Sequence, residues 1–195
     1  TNTTLLFSRN IERWDCLEPD ARLALRLEEN VSASFQESRV RVLRGSLRSL
    51  SSESLYDVVL YIDVLEHIQN DAEELIEARR LLRPGGQLIV LAPAHEWLIS
   101  PFDHEIGHVR RYTAPALLNA APPSLEPVRT RYLDSAGLTA SLVNRLLLRR
   151  VMPTPGAILV WDRLLVPCSR LLDPISGFRI GKSVLVIWRV RASGA

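Results

Sequence analysis

A doubly wound, mostly parallel α/β sheet with an antiparallel C-terminal edge and helices on both faces is the fold class this sequence predicts. Two near-continuous apolar runs, "LYDVVLYID" and "QLIVLAP", read as parallel-sheet strands buried on both faces. Between them "NDAEELIEARRLL" spaces Leu75, Ile76, Arg79 and Leu82 as a helix. Strands alternating with helices of about ten to fifteen residues argue a parallel sheet rather than a sandwich.

Taken in order, "TNTTLLFSR" (residues 1–9) reads as the start or remainder of a helix. "RWDCLEPD" then gives a short strand closing on Glu18, Pro19 and Asp20, and "ARLALRLEEN" an amphipathic helix with Leu23 and Leu27 one turn apart. "RVRVLRG" alternates valine with arginine at period two and ends on Gly45. Asn70 and Asp71 are cap candidates for the next helix, which "RPGG" stops, and Pro93 closes the strand after it. "SLEPVRTRYLD" and "SVLVIWRVRA" read as two strands that finish the sheet as an antiparallel, hairpin-like edge. Between them runs a basic, leucine-rich helical stretch, 141–172, broken by Pro153 and Pro155. It reads as an insertion packed into the core, with a lid, a dimer face or an amphipathic segment on anionic lipid as the other uses.

The chain's 195 residues read as one domain. A net charge of +2 from near-equal acids and bases leaves no footprint of a nucleic-acid binder. Cys16 and Cys168 stand far apart, without the spacing of a metal site. No uncharged apolar run approaches the roughly 18 residues of a membrane span, so a cytoplasmic protein is expected.

In an open parallel sheet, ligands sit beyond the carboxyl ends of the strands, where loops diverge and helix N-termini point inward. Those tips carry Glu18, then Gly45 with Ser46, then Asp63 with Glu66 and His67, then Pro93 with His95. A carboxylate at Glu18's place accepts hydrogen bonds from both hydroxyls of a ribose. Asp63 suits the ammonium of an amino-acid-like ligand. Glu66 and His67 read as structural, His67 packing or bonding the loop.

"LEPD", "YDVVLYIDVLEHIQND" and "LLRPGGQLIVLAP", in that order and spacing, resemble the class I methyltransferases that use S-adenosylmethionine, on a Rossmann-like sheet. The resemblance implies methyl transfer to a small-molecule or glycan-type acceptor. It implies that Glu18 and Pro19 contact the adenosine ribose, that Gly45, Ser46 and Leu47 lie near the adenine, and that Asp63 and Val64 line the methionine end. It departs from the family at Ser46, where many relatives carry an aspartate, and at the glycine-rich loop after the first strand, which is expected upstream of Thr1. "PFDHEIGHVRRYT" resembles the "GHxRRYT" segment of a bacterial subgroup.

That segment suggests the remaining chemistry. His104 or His108 is the expected general base for a hydroxyl acceptor. His95, Arg110, Arg111 and Tyr112 are expected to recognise the acceptor. His95, His104 and His108 with Asp103 and Glu105 invite a metal reading, but Gly107 and the lack of helical periodicity argue against one, and no metal is expected. The expected site thus has Glu18 and Asp63 facing one adenosyl pocket. Its rivals are a non-catalytic module that keeps the sheet for binding or scaffolding, and a nucleotide-sugar or dinucleotide enzyme.

Overall fold

The structure, a computed structural model, describes residues 11–34, 39–51, 55–143, 145 and 155–191. The helix expected over 1–9 and the break at Pro153 lie outside them. The chain divides into two compact units, Thr1–Ser54 and Leu55–Ala195.

The first unit holds strand β1 (Trp14–Glu18), helix α1 (Ala21–Ser34) and strand β2 (Val40–Arg44). β1 and β2 pair in parallel, from Trp14 opposite Val40 to Glu18 opposite Arg44, and α1 is the crossover such a pair requires. The helix starts where it does because Asp20 Oδ1 accepts the amides of Arg22 and Leu23, at 2.8 and 3.0 Å. Its buried positions are Ala24 and Val31, whereas Leu23 is half exposed. The buried stripe therefore runs over Ala24, the half-buried Leu27 and Val31, and leaves Leu23 outside it.

The second unit holds β3 (Tyr56–Ile62), α2 (Asp71–Arg80), β4 (Leu82–Pro93), α3 (Pro101–Glu105), α4 (Ala114–Ala120), β5 (Leu125–Leu133), α5 (Ser135–Val143), α6 (Pro155–Val160), a π-helical turn (Trp161–Leu165), α7 (Val166–Ile175) and β6 (Ser183–Val190). The strand order is β3-β4-β6-β5, with β3 and β4 parallel and β6 antiparallel to both neighbours. The sheet is thus mixed, and the fold is Rossmann-like with helices on both faces. Leu88, Val90 and Ala92 of β4 and Val184, Val186, Trp188 and Val190 of β6 form the core, at the alternate positions that share one sheet face. Leu65, Leu75, Ala78, Leu81 and Leu117 join them.

Four expectations are corrected. α2 ends at Arg80, with Leu81 as its cap, so Leu82 is strand rather than helix. "RPGG" falls in an irregularity of the β3–β4 ladder, where the register jumps from Tyr56–Leu82 to Val58–Gln87. β3 is not covered on both faces: Tyr61 is buried but Val58 is exposed. Finally, Leu159, Leu164, Leu171, Leu172 and Ile175 stand exposed rather than packed into a core. Among the described residues, no helix is long and apolar enough to cross a membrane.

Candidate functional site

In the first unit, the ends of β1 and β2 meet through the Gly45 amide, which donates to the Glu18 carbonyl at 3.2 Å. The Glu18 side chain is held by its neighbour's backbone, since Oε1 accepts from the Asp20 amide at 2.9 Å. Gly45 has φ +134°, and a Cβ there would come within 2.5 Å of Ser49 Oγ, so this turn takes glycine alone. It delivers Ser46, exposed, and Leu47, buried, into a 3-10 turn beside the Glu18 strand end.

In the second unit, β3 ends at Asp63, whose φ of +52° turns the chain sharply while its amide still donates to Leu91 on β4 at 2.9 Å. Val64 follows, exposed, and then a 3-10 turn, Leu65–His67. Burial raises the Asp63 pKa above the carboxylate norm, against the pull of His108, Lys182 and His67, although the residue keeps contact with solvent. β4 ends in another left-handed residue, His95, at φ +66°. The His95 and Tyr112 backbones strap the 108–112 segment to this strand end: His95 donates to the Tyr112 carbonyl at 2.8 Å and Tyr112 to Pro93 at 2.9 Å.

Asp103 anchors that segment. Ser100 caps α3 by donating both its amide and its hydroxyl to Asp103 Oδ2, at 2.8 and 2.6 Å. Arg111 grips the same carboxylate through Nε and a terminal nitrogen at 2.9 and 3.1 Å, and His108 Nδ1 donates to it at 2.9 Å. Asp103 is 1% exposed. Burial alone would raise its pKa, but the Ser100 hydrogen bond, the Arg111 charge and His108 outweigh burial and hold it below the ordinary carboxylate value. Burial pushes His108 the other way from a charged imidazolium, so its pKa is lowered and the ring is neutral. Beside it Glu66, fully buried, is raised to about 7 by desolvation.

Sequence reasoning placed the polar groups at the right strand ends, and the geometry sorts them. Glu18 and Gly45 adjoin one another in the first unit; Asp63, Glu66, His67 and His108 gather in the second. His67 bonds the loop through Nδ1, 3.1 Å from the Gly107 carbonyl. His104 is exposed on α3, and the donor cluster of the second unit consists of Glu66, His67 and His108. The residues expected at the acceptor have partners inside the protein. His95 Nε2 donates to the Gly181 carbonyl at 3.0 Å and its ring stacks on Tyr132. Arg110 pairs with Asp71 at 2.6 Å, and the Tyr112 hydroxyl donates to Asp71 at 2.8 Å. Arg111 and Tyr112 are buried, so their polar groups must be satisfied internally. The central role of Asp103 was missed; its signal was the spacing Ser100-x-x-Asp103, a capping box.

The family model of a methyltransferase domain matches residues 3–90. Over 64 residues the chain is 30% identical to a ubiquinone biosynthesis O-methyltransferase of Rickettsia conorii, covering 32% of this chain and 22% of that protein. The protein of the same name from Rickettsia bellii is 28% identical over 83 residues, 42% of this chain and 32% of its own length. The chain thus spans less than a third of either relative over the matched segments. Among solved structures, the N-methyltransferase NodS of Bradyrhizobium japonicum, in complex with S-adenosyl-L-homocysteine, superposes with a TM-score of 0.55 at 12% identity, over 96% of this chain and 71% of that one. The YcgJ protein of Bacillus subtilis does so at 0.63 and 11% identity, over 99% and 88%.

Proposed function

We propose, from the premise that this chain has the fold of the class I S-adenosylmethionine-dependent methyltransferases, that it transfers a methyl group from S-adenosylmethionine to a small-molecule acceptor. The observation that carries this reading is Glu18. It stands at a strand end inside the segment matched by the methyltransferase model, with one carboxylate oxygen fixed by the Asp20 amide. Such a carboxylate accepts hydrogen bonds from ribose hydroxyls. The neighbouring Pro19, Gly45, Ser46 and Leu47 are assigned to the adenosyl end, and Asp63 and Val64 to the methionine end, where an acid meets the cofactor's ammonium.

The cofactor supplies a sulfonium methyl that is already electrophilic. The protein's work is then to orient an acceptor at about 3 to 3.5 Å, which accounts for most of the rate. An acceptor that starts as a hydroxyl also needs a place for its proton. His108 provides it: with Nδ1 committed to Asp103, Nε2 is the basic atom. His104 is the second candidate for that task. The O-methyltransferase names of the matched relatives agree with a hydroxyl acceptor. The same proposal holds the chain cytoplasmic and away from nucleic acid, in keeping with a net charge of +2, and gives the exposed leucines between 155 and 175 to a homodimer or a peripheral membrane contact.

Calorimetric titration with S-adenosylmethionine tests it. Glu18→Ala is expected to weaken binding about ten- to hundred-fold, the worth of a charge-assisted hydrogen bond. His108→Asn is expected to leave binding intact and lower turnover on a hydroxyl acceptor by about 10² to 10⁴. Equal cofactor affinity in wild type and Glu18→Ala would sink the assignment.

A further inference from the structure

Two imidazole nitrogens with free lone pairs and one buried carboxyl group converge beside the β3 strand end. His67 Nδ1 faces the Gly107 carbonyl; a carbonyl only accepts, so Nδ1 carries the ring proton and Nε2 keeps its lone pair. His108 Nδ1 faces Asp103, whose bonds to Arg111 and Ser100 keep it an ionised acceptor. The proton is again on Nδ1, and Nε2 is again bare. The two rings meet edge to face, centroids 4.6 Å apart, and beside them lies Glu66, 0% exposed. Among the described residues neither of its carboxylate oxygens has a hydrogen-bond partner. The nearest approach, from His108 Nε2 to Glu66 Oε1, is 3.6 Å, too long for a hydrogen bond. A buried carboxylate in that position meets the full cost of desolvation unless a proton or a cation joins it.

We propose that Glu66, His67 and His108 form a binding site for a first-row divalent transition-metal ion, held by two imidazole nitrogens and one carboxylate, with coordination positions left open. One donor atom from each of the three lies within 4.8 Å of the others. Ligands about 2.0 to 2.1 Å from a tetrahedral ion stand about 3.3 Å apart. The His108–Glu66 separation, 3.6 Å, is close to that, and the His67 ring already lies against His108. Imidazole with carboxylate is a donor set of zinc, iron and their neighbours rather than of magnesium or calcium. The support around the donors is of the kind metal-binding histidines have: each ring donates its other N–H to an oxygen, and the Asp103–His108 pair is a carboxylate–histidine couple aimed at the ion. The sequence expectation of no metal concerned His95, His104 and His108; two of the three donors here, Glu66 and His67, come from elsewhere. An ion with an open position lowers the pKa of a bound hydroxyl, and so takes over the task assigned to His108. That last step rests on the methyl-transfer reading; the binding of the ion does not.

The full chain, stripped with a chelator and dialysed, is titrated with Zn²⁺ and separately with Mn²⁺ by calorimetry at pH 7.5 in the absence of cofactor. One ion per chain is expected. Affinity should fall at least about ten-fold in His67→Ala and in Glu66→Gln, by analogy with the loss on removing even a supporting group, and stay unchanged in His104→Ala. His67 is exposed and Glu66→Gln preserves shape, so both variants are checked for native circular dichroism before titration. Absence of saturable binding by both ions overturns the proposal, as does equal affinity in wild type and His67→Ala, or an equal loss in His104→Ala. S-adenosylmethionine is titrated separately: its failure to bind would remove the methyl-transfer reading and leave the ion result standing.

Discussion

At the scale of single residues, Asp103 is where the second unit is most exposed to damage. Its carboxylate balances Arg111 in a buried place and fixes the His108 tautomer. Asp103→Ala leaves a buried guanidinium without its partner, which costs about 3 to 5 kcal/mol, measurable by urea denaturation. The acid limb has a definite sign. The folded-state pKa of Asp103 is depressed below its ordinary 3.8, so its stabilisation is fully present above that value and is lost as pH falls through the folded one. Wild type is therefore expected to lose stability below about pH 4 more steeply than Asp103→Asn does. Equal acid limbs in the two proteins would show that the ion pair contributes nothing. Asp103 was hard to read from sequence because its importance comes from Arg111 and His108, partners that only the fold of the 100–112 segment brings to it. Glu18 and Asp63 were legible, because their place at the end of an apolar strand is itself a sequence pattern.

At the scale of elements, strand and helix positions followed from apolar runs and caps, while the choice of buried face did not. α2 illustrates why. Leu75 and Ile76 both fit a helical period, yet Leu75 is fully buried and Ile76 is 53% exposed; adjacent positions lie about 100° apart on a helix, and only the packing partner decides between them. Leu75→Ala is expected to cost about 2 to 5 kcal/mol and Ile76→Ala less than about 1 kcal/mol, compared by chemical denaturation. A reversed order would mean that α2 presents the other face. The same ambiguity explains why Leu27 of α1 lies on the buried stripe and Leu23 does not. α3 is the opposite case, a five-residue helix that periodicity cannot detect but whose Ser100 cap and Pro101 are written in the sequence. Ser100→Ala is expected to cost about 1 kcal/mol. It should also loosen Asp103, and so lower the affinity for Zn²⁺ without touching a donor atom. Unchanged stability in Ser100→Ala would show that the cap does not hold this helix.

At the scale of the whole chain, the alternation of strands with helices was enough to give the fold class, and the order of three short motifs enough to give the resemblance. The antiparallel C-terminal edge was legible too, but the strand order was harder, because β6 is read last yet pairs between β4 and β5; no local pattern states which earlier strands a late one will join. Ligand linkage tests the functional reading at this same scale. A ligand that binds only the folded chain stabilises it by mass action, about 2.7 kcal/mol at one hundred times its Kd. For a chain of this length, that corresponds to a rise in Tm of roughly 5 to 11 °C. S-adenosylmethionine is expected to give such a rise in wild type, and in Glu18→Ala only at ten- to hundred-fold higher concentration, as its weaker binding requires. Zn²⁺ should raise Tm in Glu18→Ala as much as in wild type, because its donors lie in the second unit and Glu18 in the first. A cofactor response that is the same in both proteins would remove Glu18 from the site. A zinc response that vanishes with Glu18 would mean that the ion is held elsewhere than by Glu66, His67 and His108.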